Sequence, residues 1–193
     1  MKQPKPKTVE TPVKLRVLEI GAGPKPQAKK LLPDTFVETM DVDPQYNPTY
    51  LHDAATIPTE LYGKFDLVFA SHVLEHFPWY ETHNILKEWR KALRVGGELH
   101  VLVPSLEWAA EQILSGHPSK AINGHLYAGS MTEWDVHKAG FTLPILRAHF
   151  EHARFAVAMA QSGPYPIRIV GEIMQAEQHY IIGQKASGDD YVL

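Results

Sequence analysis

Phe65-Asp-Leu-Val-Phe-Ala70 is a nearly continuous apolar run. Such a run suits a strand buried on both faces, the situation inside a parallel sheet covered by helices. Ser71 and His72 follow it. An amphipathic helix is then expected over roughly Trp79–Leu93, with Ile85, Leu86, Trp89, Ala92 and Leu93 at helical spacing and Gly96-Gly97 closing it. Glu98–Val103 reads as the next strand. Strand, helix, strand in this order is the signature of a parallel sheet with crossover helices.

The same order extends in both directions. Leu15-Arg-Val-Leu-Glu-Ile20 alternates and runs into Gly21-Ala-Gly23-Pro24. A two-turn helix is expected over Gln27–Leu32, stopped by Pro33, then a second strand over Phe36–Met40 ending at Asp41. A poorer strand near Thr49–Leu51 ends at Asp53. Downstream, Ser105 is a good N-cap for a helix with Leu106, Ala109, Ala110, Ile113 and Leu114 on one face, ended by Gly116. Thr142 starts a further helix, and strands over Phe155–Ala160 and about Ile173–Gly183 complete the set. Residues 117–141 are rich in Gly, His, Asn and aromatics without a clear period, and a connection of that length in a compact domain is usually functional. The expectation is therefore an α/β fold with a doubly wound, mostly parallel seven-stranded sheet. A flexible arm over residues 1–12 precedes a single domain over 13–187, in which 117–141 form an acceptor-side lid or insertion, and 188–193 are a tail.

Composition narrows the chemistry. The 193 residues suit one domain. With a formal net charge of −3 and no basic stripe beyond the first seven residues, duplex DNA is an unlikely partner. The chain has no cysteine, which excludes disulfides, thiolate zinc sites, cysteine-held iron–sulfur clusters and a cysteine nucleophile. No apolar run approaches the ~20 residues of a membrane helix. The N-terminal lysines are not followed by an apolar stretch, so no signal peptide is read and a cytoplasmic location is expected.

Glycines at 21 and 23 allow the backbone to turn sharply and approach a ligand, while a following helix offers unpaired N–H groups. Asp41, twenty residues after Gly21, ends the second strand, where an acid is placed to bond a ribose diol. Asp43 competes for that role, but Pro44 suits it better to starting a turn. These features support a nucleoside cofactor without saying which one.

The order of the remaining landmarks resembles that of the class I S-adenosylmethionine-dependent methyltransferases, from about Leu15 to Lys185. LEIGAGP is similar to the family's first motif, which implies Glu19 near the methionine amine and Gly21 and Gly23 beneath the cofactor. VETMDVDP resembles its second, placing Asp41 on the ribose hydroxyls with Val42 beside it. HDAATIP resembles the third, with Asp53 and Ala54 facing the adenine edge. FDLVFASHVLEHF resembles the fourth, with Ser71 and His72 lining the methionine end, and ALRVGGELHVLVPS and EQHYIIGQK resemble the turn into the fifth strand and the closing hairpin. The pair FDLV…LEH and LRVGGELHV is the specific part. Two departures stand out: Lys25 where a third glycine is common, able to reach the cofactor carboxylate, and Arg154 where relatives often have glycine. A positive φ at Arg154 would cost ~1 kcal/mol.

The resemblance implies S-adenosyl-L-methionine as cofactor and methyl transfer as reaction. Such chemistry needs mainly in-line alignment of a nucleophile, with a general base only if the acceptor must lose a proton. His76, His137 and Tyr127 are the catalytic candidates. His76 follows the fourth strand, and the segment from Asn123 to Thr142 resembles a stretch of methyltransferases with unassigned substrates, with Tyr127, Trp134 and His137 as a pocket wall. His72 and His76 have a spacing that suits zinc on a helix. Pro78 argues against a regular helix there and no third ligand stands out, so no metal is expected. Cytosine C5 methylation lacks its cysteine, and the motif for exocyclic base amines is replaced by Ala70-Ser71-His72-Val73. A small molecule, a glycan or another non-duplex acceptor remains. The alternatives are a nicotinamide-dependent oxidoreductase, which the glycine turn and Asp41 would also suit, and a non-catalytic module that binds S-adenosylmethionine.

Overall fold

Seven strands hydrogen-bond into one sheet in a computed structural model that describes residues 14–116, 120–169 and 172–187. The expected arm over 1–12 and tail over 188–193 lie outside the described residues. The strands are β1 (Arg16–Ile20), β2 (Phe36–Asp41), β3 (Tyr50–Leu51), β4 (Phe65–Ser71), β5 (Leu93–Pro104), β6 (Phe155–Ile169) and β7 (Glu172–Lys185). Their order is β3-β2-β1-β4-β5-β7-β6. The pairings among β1 to β5 are parallel, whereas β7 runs antiparallel to both β5 and β6. The strand order reverses between β1 and β4, and in open α/β sheets the crevice beyond the strand ends at such a point is where ligands bind.

Alternation along β1 divides the core. Leu18 and Ile20 join a large cluster on one face with Leu86 and Trp89 of helix α2 (Thr82–Ala92) and Leu146 and Phe150 of helix α5 (Leu143–His152). Val17 points to the opposite face, with Leu67, Phe69 and Ala28. Ala28 belongs to α1 (Ala28–Leu31), which is shorter than expected. Helix α2 also begins later than expected, after a 3₁₀ turn over Trp79–Glu81, because Pro78 holds the chain extended before that turn. Trp89 is fully buried, and its truncation to alanine would cost about 3–5 kcal/mol.

Both expected N-caps form. Ser105 accepts from the Trp108 amide at the start of α3 (Leu106–Leu114), and Thr142 accepts from the Ile145 amide at the start of α5. Arg154, in the turn before β6, has φ of 62°, so the condition under which its replacement of glycine carries a conformational cost is met.

Other elements differ too: β5 begins at Leu93, ahead of the expected Glu98. Residues 120–127 form helix α4 rather than part of an irregular lid, although Asn123-Gly124 is a poor helix dipeptide. Tertiary contact overrides propensity here: Ala121, Ile122 and His125 are buried, and the His125 ring lies 4.7 Å from that of Trp108. Strand β6 is also far longer than the expected Phe155–Ala160, whereas β7 nearly matches the expected Ile173–Gly183. Gly163, Pro164 and Pro166 read as strand breakers, but β6 is the edge of the sheet, paired on one side alone, which is where a strand tolerates proline.

Candidate active site

The carboxyl ends of β1, β2 and β4 bring the glycine turn and its acids together. Glu19, 3% exposed, accepts from the amides of Gln27 (2.6 Å) and Ala28 (3.0 Å), so its carboxylate anchors the start of α1. Burial raises its pKa and these two amides oppose the shift. Gly21 has φ of 62°, and a Cβ there would meet Val73 Cγ2 at 2.4 Å, so both conformation and space demand glycine. Gly23 has φ of 56° but open space around it, so only the conformation matters. Asp41 ties this turn to the end of β2: Oδ2 accepts from the Gly23 amide (2.8 Å) and Oδ1 from the Asp43 amide (2.9 Å). A carboxylate has about four acceptor sites, so capacity remains for a ligand's hydroxyls. Asp43 instead accepts from the Gln45 amide and starts a 3₁₀ turn. Asp53 accepts from the Ala55 amide at 2.8 Å, and the Ala54 carbonyl accepts from the Trp89 indole at 2.8 Å, which pins this loop to the core.

These residues border a cavity of about 370 Å³ lined by Gly21, Asp41, Val42, Asp53 and Ala54 on one side and by His72, His76, Trp134 and Lys138 on the other. A second cavity, about 650 Å³, shares His72 and His76 and extends past Gln27, Ser71, Asp135, His137, Tyr165 and Gln178. His76 and His137 therefore come together, their rings 4.9 Å apart and edge-to-face. Tyr127 does not join them. It is 58% exposed at the end of α4 and lines neither cavity; the tyrosine in the wall is Tyr165, from β6. Lys25 is exposed and also borders neither cavity.

Hydrogen bonds order the histidines. Ser105's carbonyl accepts from His125 Nε2 (2.7 Å), which leaves His125 Nδ1 to accept from the Tyr165 hydroxyl (3.1 Å). The carbonyl of His125 in turn accepts from His137 Nδ1 at 3.0 Å. Burial lowers the pKa of His125 and that of His137, against the Ser105 carbonyl in one and the Glu75 carboxylate in the other. Tyr165 is pushed above the ordinary phenol range by burial, with the Glu75 charge adding to it.

His72 behaves differently. It has φ of 56°, unusual outside glycine and a mark of strain at functional sites. Its Nε2 lies 3.1 Å from Gln178 Oε1, and its Nδ1 lies 3.2 Å from Glu75 Oε1. Burial alone would lower its pKa, but the Glu75 carboxylate and Gln178 reverse this and leave it raised. Glu75 is 1% exposed; burial would raise its pKa, yet His72 at its side and the fields of His76 and His137 hold it below the usual carboxylate range. Glu75, His76 and His137 each bring a donor atom within 4.8 Å of the others, close enough to share a metal ion. The third residue that the sequence reading did not find beside the histidine pair has a candidate here: Glu75 and, from beyond α4, His137 gather around His76, whereas His72 stands outside the trio.

Glu75, Tyr165 and Gln178 escaped the sequence reading. The signal for Glu75 was present, since an acid inside LEH next to two histidines is a potential ligand or counter-ion. Tyr165 carried none, because it lies past the expected strand end at Ala160, and Gln178, although inside an expected strand, has no local mark that sets it apart from its neighbours.

A family model described as a methyltransferase domain matches residues 2–144. Among solved structures, the chain is similar to a SAM-dependent methyltransferase from Methanosarcina mazei, with 18% identity, 90% of this chain and 93% of that one covered, and a TM-score of 0.66. It is similar also to the 1,6-didemethyltoxoflavin-N1-methyltransferase of Burkholderia thailandensis, solved with 1,6-didemethyltoxoflavin and S-adenosylhomocysteine, with 17% identity, 90% and 72% coverage and a TM-score of 0.61. A chain from the complex of the Haloferax volcanii Trm112 methyltransferase activator with a methyltransferase aligns with 15% identity, 93% and 86% coverage and a TM-score of 0.64. At these identities the likeness is one of fold. No curated protein sequence matches.

Proposed function

The chain belongs to the methyltransferase-domain family, and on that premise we propose that it transfers the methyl group of S-adenosylmethionine to a small molecule, a glycan or another non-duplex acceptor. The observation that carries this reading is the pair of adjoining cavities sharing His72 and His76 at the carboxyl end of the sheet. The smaller, bordered by the glycine turn and by acids at strand ends, is the nucleoside site. The larger lies within the usual range for small-ligand pockets, about 300–1,000 Å³.

Within this assignment Asp41 accepts from the ribose hydroxyls, Val42, Asp53 and Ala54 hold the adenine, and Gly21 and Gly23 let the backbone approach. Glu19, through the start of α1, shapes the methionine end with Ser71 and His72. S-adenosylmethionine supplies an activated methyl on a sulfonium, which is a good leaving group. The protein's task is to align the acceptor in line with it and to exclude water. His76 and His137 hold the acceptor and take a proton where its nucleophile is a hydroxyl. The topology speaks against a nicotinamide enzyme: a dinucleotide fold has the order 3-2-1-4-5-6, whereas here an antiparallel β7 sits between β5 and β6.

Calorimetric titration of the pure protein with S-adenosylhomocysteine, S-adenosylmethionine and NAD tests the reading. Saturable one-to-one binding of the first two and none of NAD is expected. Binding of NAD alone would overturn it, and cofactor binding with no methylated product in a lysate would leave a non-catalytic module.

A further inference from the structure

We propose that Glu75, His76 and His137 bind one divalent transition-metal ion, with zinc(II) the best match, and that its open coordination positions face the larger cavity. Both carboxylate oxygens of Glu75 and the Nδ1 of His76 are buried without a hydrogen-bond partner among the described residues, and His72 Nδ1, 3.2 Å away, is paired by charge with Oε1 alone. Burying such groups is costly unless something compensates them.

His137 is set up as a ligand. A carbonyl only accepts, so the 3.0 Å contact from Nδ1 to the His125 carbonyl places the hydrogen on Nδ1 and leaves a lone pair on Nε2 in the neutral ring. That Nε2 lies 3.8 Å from Glu75 Oε1. Two acceptors facing each other at that distance are too far apart for a hydrogen bond. Two tetrahedral ligands of one ion with bonds of about 2.0–2.2 Å stand about 3.4 Å apart, so a small approach of the two side chains would close on an ion. The outward N–H bonded to a backbone carbonyl is also what orients metal-bound histidines. The backbone holds the approach: the Glu75 carbonyl accepts from the amides of Lys138 (2.7 Å) and Ala139 (3.1 Å), directly after His137.

Two imidazoles and one carboxylate form a donor set of open catalytic sites, with room for a further ligand. His76 and His137 line the larger cavity, and the buried Glu75 lies behind them. On the methyl-transfer reading, on which this role rests, the ion would occupy the lone pairs with which His76 and His137 would otherwise take a proton, and would hold an oxygen of the acceptor in place of that role. The rival account makes Glu75 only the counter-ion of His72.

The test uses the full chain stripped of metal with a chelator, then titrated with zinc(II) against a chromophoric chelator and with cobalt(II) by visible absorption. One ion per chain is expected. Glu75→Gln and His137→Ala should each weaken binding by at least about 100-fold, since even loss of an outer-sphere partner costs 10–100-fold. His152→Ala, in the separate His83–His152 pair, should change nothing. Absence of stoichiometric binding, or binding that survives both substitutions, overturns the site in favour of the His72 counter-ion. Should Glu75→Gln fail to fold by circular dichroism, His76→Ala with His137→Ala decides on the same criterion. A parallel titration with S-adenosylhomocysteine separates the two claims. Cofactor bound without metal overturns the metal site alone, and metal bound without cofactor overturns the reaction while supporting the site.

Discussion

The two cavities are built by opposite means. The side of the smaller that does not face the larger is made of backbone turns and acids at and just after the ends of β1, β2 and β3, close in sequence to the elements they serve. Asp41 bonds Gly23 and Asp43, and Asp53 bonds Ala55. The larger is made of side chains delivered from far apart: Gln178 to His72, Tyr165 to His125, His137 to Glu75. A nucleoside, which is constant, can be met by fixed backbone. An acceptor, which differs between members of a fold family, is met by side chains on elements free to vary. The proposed division of labour implies that damage to one half should spare the other.

The sharpest break comes from His137→Ala. Turnover should fall ~10²–10⁴-fold if the ring moves a proton, while calorimetry with S-adenosylhomocysteine should give nearly the wild-type affinity. A matching loss of cofactor affinity would mean that the halves are not separable.

Gly21→Ala should come next. It combines a left-handed residue, about 1–2 kcal/mol, with overpacking against Val73, about 1–3 kcal/mol. Chemical denaturation should show the sum of these, and cofactor binding should collapse. Gly23→Ala, with open space, should show only the conformational part. Equal losses at the two positions would remove the role given to the Val73 contact.

Asp41→Ala should weaken S-adenosylhomocysteine at least tenfold, since hydrogen bonds to a charged group are worth about 1.5–3 kcal/mol each. An unchanged affinity would move the ribose contact elsewhere. The converse of the His137 experiment holds here: once an acceptor is known, its KM should shift far less than that of the cofactor.

The smallest effect lies away from both cavities. Glu38 is bonded by Arg16, which outweighs burial and, with Tyr50, holds its pKa below the ordinary value. A depressed carboxyl contributes stability that is complete above its unfolded pKa, about 4.3, and is lost as pH falls through the lower folded value. Urea unfolding between neutral and acid pH should therefore show a steeper acid loss for the wild type than for Glu38→Gln, with cofactor affinity at neutral pH the same in both. Coincident pH profiles would show that the pair adds nothing.

The same contrast explains what could be read from the sequence. The parallel half of the sheet was legible because an apolar run such as Phe65–Ala70, a glycine turn and an acid at a strand end are local signals. The helix starts at Ser105 and Thr142 were legible for the same reason. The larger cavity was only half legible. His76 and His137 were singled out, but Tyr127, read with Trp134 and His137 from the Asn123–Thr142 stretch, is turned outward by α4. Tyr165 was hidden because Pro164 and Pro166 signal the end of a strand unless the strand is known to be an edge. Glu75 gains its meaning only when His137 arrives from another element.

The two amide bonds from Lys138 and Ala139 to the Glu75 carbonyl have a consequence for traffic. They make the segment after α4 a fixed wall rather than a door, because swinging it aside would also turn the Glu75 peptide. An incoming acceptor that leaves those bonds intact must pass the opposite rim, where Gln27 and the half-exposed Leu31 of the four-residue helix α1 border the larger cavity. Hydrogen exchange distinguishes doorway from wall: the Lys138 and Ala139 amides should stay protected in the free and ligand-saturated protein, while those of α1 should change. Opening at Lys138 during ligand entry would reverse the route.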